Sequence, residues 1–236
     1  MVGLRVARRS QSMATFEIEH AEGMRWVKVE LVNDDVRTER GALNHMKGML
    51  AMDVPWPTLK SWWVSLFSDE SLVRPRYSGT GTVYLDSSLG GYHLLKVQRG
   101  ETWILDTKSF WASDGEIKLS IHREGFLTAW WADQGWFWYK TSLLGEGQVV
   151  LAVDGPVEEI VLENDRLIVD GPFVVARTQG ISLRIKRPTK SLMSYWLSGQ
   201  ARARVYEGTG RLILCTTPYW RQRMQRERAS DSVNYE

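Results

Sequence analysis

One short phrase, Gly-x-Gly-x-apolar-x-Leu, occurs three times in the chain at nearly constant spacing. The copies begin at Gly79, Gly145 and Gly208, so their first glycines lie 66 and 63 residues apart, and their second glycines are Gly81, Gly147 and Gly210. Self-similarity at a fixed period is typical of architectures in which one supersecondary unit is copied. The sequence therefore predicts three related units, and this periodicity constrains the fold more than any other feature.

Each predicted unit also contains two runs of alternating apolar and polar residues around a residue type that tolerates positive φ. These central residues are Asn33, Gly100 and Asn164, and an acidic residue follows each by six positions, at Glu39, Asp106 and Asp170. Alternation with a period of two is typical of strands with one solvated face. We therefore predict three β-hairpins that turn at Asn33, Gly100 and Asn164.

These patterns predict an all-β fold, a single-domain β-sandwich or barrel of three pseudo-symmetric β repeats. We assign residues 1–13 to a flexible basic N-terminal tail, residues 14–220 to one all-β domain, and residues 221–236 to a basic C-terminal tail, helical or disordered. The repeats cover about residues 24–77, 78–143 and 144–206. By this count the first repeat lacks a Gly-x-Gly strand, so we expect the closing strand at residues 207–216 to pair beside it and cover exposed edges.

Composition and charge narrow the class of protein. Hydrophobic residues make up 43% of the chain and charged residues 25%, as in folded soluble domains. No apolar run approaches the roughly 18 residues of a membrane span, and the start has no apolar segment of a secretory signal. The single cysteine, Cys215, is compatible with a cytoplasmic location. Basic residues cluster at the two ends and leave the body mildly acidic, which argues against nucleic acid as a partner.

Tryptophan is concentrated in the two connectors between the predicted repeats. A large apolar ring with one N–H group suits a protein core or a subunit interface, which is the preferred interpretation. A patch that enters the membrane interface is the alternative. The candidate interaction surface consists of Trp56, Trp62, Trp63, Phe67, Trp130, Trp131, Trp136 and Trp138.

The sequence predicts no catalytic residue, no metal site and no cofactor. Its four histidines are scattered singly, and no His or Cys pair has the spacing of zinc ligands. The Gly-x-Gly phrases open strands rather than helices, so we interpret their glycines as structural bends rather than phosphate loops. Asp106 and Asp170 are interpreted as structural turn residues, although acids brought together by pseudo-symmetry could raise each other's pKa and act as an acid–base pair.

Several stretches together carry a resemblance to a known family. They are residues 39–46 (ERGALNHM), residues 70–81 with Glu70-Ser71-Leu72 and Gly79-Thr80-Gly81, residues 145–147 (GEG) and residues 167–176 (LIVDGPFVVA). From about residue 14 to residue 220 the chain resembles the altered inheritance of mitochondria (AIM) twenty-four family, which is classed with the tryptophan RNA-binding attenuator protein-like (TRAP-like) β folds. The resemblance implies a β-rich, often homo-oligomeric protein without established catalytic activity. For organellar members it implies a role in organising the inner membrane.

We therefore expect a non-enzymatic scaffold or interaction protein that associates with itself through β edges and the tryptophan-rich connectors. A trimer is the favoured assembly, and a membrane surface or another protein is the further partner considered. The expected location is the cytoplasm, with peripheral association at a membrane left open. The alternative is a ligand-binding or RNA-binding β module, which rests on fold analogy alone.

Overall fold

Fourteen strands and no helix make up the described part of the chain, residues 14–55, 74–88, 90–123, 139–186 and 203–216 of a computed structural model. The predicted all-β class is confirmed. No helix within these ranges is long and apolar enough to cross a membrane. The strands are β1 (Thr15–Ala21), β2 (Met24–Thr38), β3 (Leu43–Asp53), β4 (Arg76–Leu85), β5 (Tyr92–Val97), β6 (Thr102–Leu105), β7 (Phe110–Asp114), β8 (Lys118–Arg123), β9 (Tyr139–Leu144), β10 (Gly147–Ala152), β11 (Val157–Asp170), β12 (Val174–Thr178), β13 (Ile181–Lys186) and β14 (Ala203–Cys215).

The strands form two antiparallel sheets of seven strands each. The first has the order β3-β4-β2-β7-β10-β5, with β1 paired to another part of β2. The second has the order β11-β14-β12-β6-β9-β8, with β13 paired to another part of β14. The outermost strands on one side are therefore β3 in the first sheet and β11 in the second.

When each Gly-x-Gly strand is grouped with the strands that precede it and pair with it, the middle unit spans residues 92–152 and contributes to both sheets. Its strands β5, β7 and β10 lie in the first sheet, whereas β6, β8 and β9 lie in the second. A buried cluster contains residues from both, including Trp103 and Leu105 of β6, Val149 and Leu151 of β10, and Ile213 of β14. Burying an aliphatic side chain of this size contributes about 1.5–3 kcal/mol. The cluster therefore gives the two sheets a shared apolar contact.

The predicted hairpin turns at Asn33 and Asn164 are wrong. Both residues have positive φ, 51° and 53°, but they lie inside the continuous strands β2 and β11, where the pairing register shifts. Gly100, with φ 87°, lies between β5 and β6, which belong to different sheets rather than to one hairpin. A residue with positive φ between two alternating runs fits a bulge or a bend as well as a turn, and only the partner strand decides between them.

The predicted position of the closing strand is also wrong. β14 pairs with β11, β12 and β13, not with the N-terminal strands. The first Gly-x-Gly strand, β4, pairs along its length with β2. In the middle unit β10 pairs with β5 and β9 with β6. Each Gly-x-Gly strand thus pairs with the long strand or strand pair that precedes it, so the first unit has its own copy and needs none from the end of the chain.

A hairpin that sequence reasoning missed joins β1 and β2. Its two-residue turn consists of Glu22 and Gly23, which both have positive φ, 51° and 79°. Positive φ at both central residues matches the right-handed twist of the flanking strands. The signal was available in the sequence as a glycine between two alternating runs.

Candidate functional site

The Gly-x-Gly phrases lie where a Gly-x-Gly strand passes very close to a neighbouring strand. A Cβ on Gly79 would be 2.2 Å from the carbonyl oxygen of Met49, and one on Gly208 would be 2.2 Å from that of Gly180. φ is 130° at Gly79 and 137° at Gly208, a region that other residues rarely adopt. The other four glycines of the phrases also have positive φ. A Cβ on Gly81 would lie 2.3 Å from Lys47 O, one on Gly145 3.1 Å from Glu116 O, one on Gly147 2.7 Å from Asp114 Oδ2, and one on Gly210 2.1 Å from Thr178 Oγ1.

The middle residue of two of these phrases satisfies the backbone of the bulged strand opposite. The N–H of Asn33 donates to Thr80 Oγ1 at 3.0 Å, and the N–H of Asn164 donates to Thr209 Oγ1 at 2.9 Å. A bulge leaves a backbone donor outside the ladder, and a hydroxyl can accept from it. The phrase therefore acts structurally: its glycines allow close approach and its threonine supplies an acceptor.

The sequence predicts that the recurring acidic residue at each strand end, Glu39, Asp106 or Asp170, accepts backbone hydrogen bonds in a turn. Among the described residues, the structure has ion pairs at the first two of these sites. Arg74 Nε donates to Glu39 Oε2 at 3.4 Å. Lys140 Nζ lies 2.9 Å from Asp106 Oδ1. Arg74 and Lys140 are both buried, whereas Asp170 is exposed. A buried base with a carboxylate partner avoids the cost of an isolated charge, so the first two acids hold buried bases in place.

Asp114 at the end of β7 is the buried carboxylate with the most perturbed titration among the described residues. It is 4% exposed, and its Oδ2 accepts from the N–H of Gln148. Burial is the largest influence on its pKa, and together with the nearby carboxylates of Asp34, Asp35 and Glu116 it raises the pKa to about 6.

No group of three or more His, Cys, Asp or Glu residues in the described ranges is arranged to hold a metal ion.

Neighbouring units are joined by short antiparallel contacts of one recurring kind. The end of the long strand of one unit, or of β6 in the middle unit, pairs with the last three residues of a short strand, β7 or β12, of the next unit. The first junction pairs Val36 with Asp114, Arg37 with Ser113 and Thr38 with Ala112, and is flanked by Glu39 N–H to Trp111 O at 2.7 Å and Gly115 N–H to Asp35 O at 3.2 Å.

The second junction repeats this pattern between β6 and β12. It pairs Trp103 with Thr178, Ile104 with Arg177 and Leu105 with Ala176, and is flanked by Asp106 N–H to Val175 O at 2.8 Å and Gln179 N–H to Thr102 O at 2.9 Å. A side-chain contact reinforces it, because Arg211 donates to both carboxylate oxygens of Glu101 at 2.8 and 2.6 Å. The two junctions place equivalent residues in equivalent positions.

The outermost strands β3 and β11 carry much of the exposed apolar surface of the described residues. On β3, Met46, Met49 and Met52 are 42%, 88% and 53% exposed. On β11, Val161 and Ile168 are 60% and 56% exposed. Among the strands that the structure describes, β3 pairs only with β4, and β11 only with β14. Long edge strands of this kind present unpaired backbone groups that can pair with another chain.

Two clefts lie on the surface of the described part of the chain. One, of about 440 Å³, lies beside β3 and is lined by Trp26, His45 and Tyr84 among others; the His45 and Tyr84 rings stack with centroids 4.3 Å apart. The other, of about 370 Å³, includes Asp106 and Cys215 in its lining. The tryptophan-rich candidate surface, from Trp56 to Phe67 and from Trp130 to Trp138, lies outside the described residues.

Two seven-stranded antiparallel sheets joined through a shared middle unit define a β-sandwich class of protein. The crystal structure of protein SPYM3_0169 from Streptococcus pyogenes has a similar fold, with a TM-score of 0.69 and 16% sequence identity over 92% of this chain and 99% of that chain. No curated protein sequence matches the chain. The family model described as mitochondrial biogenesis AIM24 matches residues 16–217, so the chain belongs to the AIM24 family, as the resemblance in its sequence predicted.

Proposed function

We propose that this AIM24-family protein is a non-catalytic scaffold that associates with further copies of itself. The observation that carries the proposal is the pair of outer strands, β3 and β11, which are 11 and 14 residues long and have one unpaired side each among the described residues. Natural proteins commonly shorten, charge or cover such edges because they promote association. Exposed methionines on β3 favour association further, since methionine adapts to varied apolar surfaces.

Size-exclusion chromatography coupled to light scattering tests the proposal directly. We expect a mass that is a multiple of the 27.1 kDa chain and that persists on dilution through the micromolar range, with a trimer as the favoured assembly. A mass of one chain at every concentration would contradict the scaffold proposal.

A peripheral membrane contact extends the proposal and rests on the sequence alone. Amphipathic aromatic rings are favoured at the membrane–water interface, and the tryptophan-rich connectors supply them. We place the assembled protein in the cytoplasm with these connectors as the candidate membrane contact. Liposome sedimentation of the wild type and of a Trp62→Ala/Trp63→Ala variant tests it: we expect the wild type to sediment more. Equal, negligible sedimentation would remove the membrane contact and leave self-association untouched.

Nucleic acid is a poor partner for the outer strand β11. Residues 158–165 of β11 include Glu158, Glu159, Glu163 and Asp165, and all four are exposed. Affinity for nucleic acid comes mainly from neutralising phosphates with basic side chains. We therefore rank the RNA-binding alternative below self-association.

A further inference from the structure

The two internal junctions define a pattern that has a third, unmade counterpart in the chain. The acids that end the long strands, Glu39, Asp106 and Asp170, are 67 and 64 residues apart and relate equivalent positions in the three units. The residues of a third junction follow from these offsets. On the long strand, residues 103–105 of the second junction are moved forward by 64 positions. On the partner strand, residues 112–114 of the first junction are moved back by 67 positions. They are Leu167, Ile168 and Val169 on β11 and Lys47, Met46 and His45 on β3.

These six residues do not pair with each other in the chain. β3 ends one sheet and β11 ends the other. The buried cluster around β11 and β14 contains residues of the third unit alone, and the cluster against which β3 packs contains residues of the first and second units. The third unit therefore has a long strand, β11, that lacks the junction made by the first two units. The first unit has the matching partner strand, β3, which lacks it as well.

We infer that β11 of one copy pairs with β3 of a second copy of this chain, in the register of the internal junctions. The inference deepens the proposed function and rests on it. In this arrangement Ile168 of β11 faces Met46 of the second copy's β3, so two exposed apolar side chains cover each other. Asp170 N–H donates to Asn44 O and Gly48 N–H donates to Arg166 O, as Glu39, Asp106, Gly115 and Gln179 donate at the two internal junctions.

The distribution of charge on β11 agrees with this register. Residues 158–165 include the acidic residues Glu158, Glu159, Glu163 and Asp165, whereas the pairing residues 167–169 are Leu, Ile and Val. At both internal junctions the contact is made by three residues at the end of a strand. They are residues 36–38 of β2 and residues 103–105 of β6, the strand that replaces the end of a long strand in the middle unit. Charge on an edge strand discourages pairing. The acids thus discourage pairing of the part of β11 that the junction does not use, and the uncharged segment 167–169 remains available.

The contact is heterologous, because a β11 end meets a β3 end. After one such contact, one copy keeps a free β3 edge and the other keeps a free β11 edge, so repeated pairing produces a closed ring if the rotation closes and an open filament if it does not. A two-copy complex with one shared, self-complementary patch is not the assembly that this geometry predicts.

Disulfide trapping between separate chains tests the register. Flanking hydrogen bonds at the first junction, Glu39 to Trp111 and Gly115 to Asp35, make Arg37 and Ser113 a hydrogen-bonded pair, so Val36 and Asp114 form a non-hydrogen-bonded pair. Leu167 and Lys47 are the equivalents of this second pair. Cα atoms of such pairs lie about 4.5 Å apart, within the range that a disulfide spans. Mixing Lys47→Cys protein with Leu167→Cys protein under mild oxidation should therefore yield cross-linked species.

Two controls accompany the trapping. Ala51→Cys protein mixed with Leu167→Cys protein should cross-link at least tenfold less, because Ala51 lies four positions from Lys47 along β3. Wild-type protein, with its buried Cys215, reports any background. A variant with Lys47→Cys and Leu167→Cys in one chain distinguishes copies: an internal disulfide without inter-chain product would show that the junction closes within one chain and would overturn the inference.

A matched pair of surface substitutions gives a second, independent readout. Ile168→Asp places a charge in the proposed contact, and Val161→Asp places the same charge on β11 outside it; the wild-type residues are 56% and 60% exposed. We expect light scattering to report a monomer for Ile168→Asp and the wild-type mass for Val161→Asp. If the wild type assembles and Ile168→Asp assembles equally, this register is overturned and the scaffold proposal stands. The same holds if the wild type assembles but no inter-chain disulfide forms. A monomeric wild type overturns both.

Discussion

Individual residues decide how closely the strands of this sandwich approach. Gly79 and Gly208 stand where a side chain would meet a neighbouring carbonyl oxygen at 2.2 Å, and Thr80 and Thr209 supply the acceptors for the bulges opposite. Asp114 shows the opposite case, a group that the fold accepts at some cost, since burial and three nearby carboxylates disfavour its charge.

Substitution of Gly208 by alanine should lower the free energy of unfolding by about 2–4 kcal/mol, because the new Cβ adds a clash to an unfavourable φ. Gly100→Ala is the matched control: its φ is also positive, 87°, but no atom lies within 4 Å of the Cβ position. We expect it to cost only about 1 kcal/mol. Urea denaturation of both variants checks the difference, and equal losses would show that the close approach contributes nothing.

Asp114→Asn should stabilise the protein near pH 7 by about 1–2 kcal/mol, allowing for partial solvent screening. The folded-state pKa, about 6, lies above the unfolded value, so the wild type loses stability as pH rises through 6 and regains it on acidification towards 4. The advantage of the variant should therefore shrink as pH falls from 7 to 4. Denaturation curves of both proteins across this range measure it, and a pH-independent difference would contradict the raised pKa.

Elements of this fold are held by contacts between strands that are distant in sequence. At the second junction, the guanidinium of Arg211 bridges Glu101 and Glu159 and lies 5.1 Å from the centre of the Trp103 ring. Burial alone would raise the pKa of Glu101, but hydrogen bonds from Gln98 and Trp103 and the charge and hydrogen bonds of Arg211 outweigh it and lower the pKa. This network links β6 to β14.

Arg211→Lys should destabilise the protein by about 1 kcal/mol although the charge is kept, because lysine lacks the planar fork that binds two oxygens at once. The pair is partly exposed, with side-chain exposures of 24% and 25%, so a larger effect is not expected. Arg184→Lys is the control, since Arg184 is 65% exposed and 3.9 Å from its carboxylate partner. Thermal unfolding compares the two, and equal melting temperatures would show that the guanidinium fork, which binds Glu101 through Nη2 and Glu159 through Nη1, is unimportant here.

At the scale of the whole molecule, the middle unit makes one structure of two sheets. Its strands are divided between them, and the buried cluster that contains Trp103 includes side chains from both sheets. The three units are not equivalent in their surroundings, because the middle unit takes part in both junctions whereas the first and third each take part in one. Self-association through β3 and β11 would give the outer units the junction that they lack.

Trp103→Ala should lower the stability of both sheets together by about 3–5 kcal/mol, since the ring is fully buried in the cluster that joins them. Hydrogen exchange checks this at Val29 in the first sheet and Leu212 in the second. Trp26→Ala, at a partly exposed ring, is the control with a smaller expected loss. Loss of protection at Leu212 alone would show that the sheets unfold independently.

Local sequence was sufficient to predict the all-β class, the alternation within several strands and the family. Asn33 and Asn164 were recognised as residues with positive φ, but not as bulges, because a turn and a bulge share the same local dihedral angles. β14 was recognised as a strand and assigned to the wrong neighbour, since strand order depends on contacts between distant residues. The junctions, and hence the candidate assembly edges, could not be located without that order.

The sequence by itself determined that this chain forms β structure from a recurring unit, because alternation and glycine spacing act over a few residues. Only the tertiary structure decided which strands are neighbours, that the middle unit is divided between two sheets, and that β3 and β11 are left at the edges. The physical reason is that backbone hydrogen bonds between strands are nearly the same for every pairing, so the choice among pairings rests on how the buried side chains pack in three dimensions.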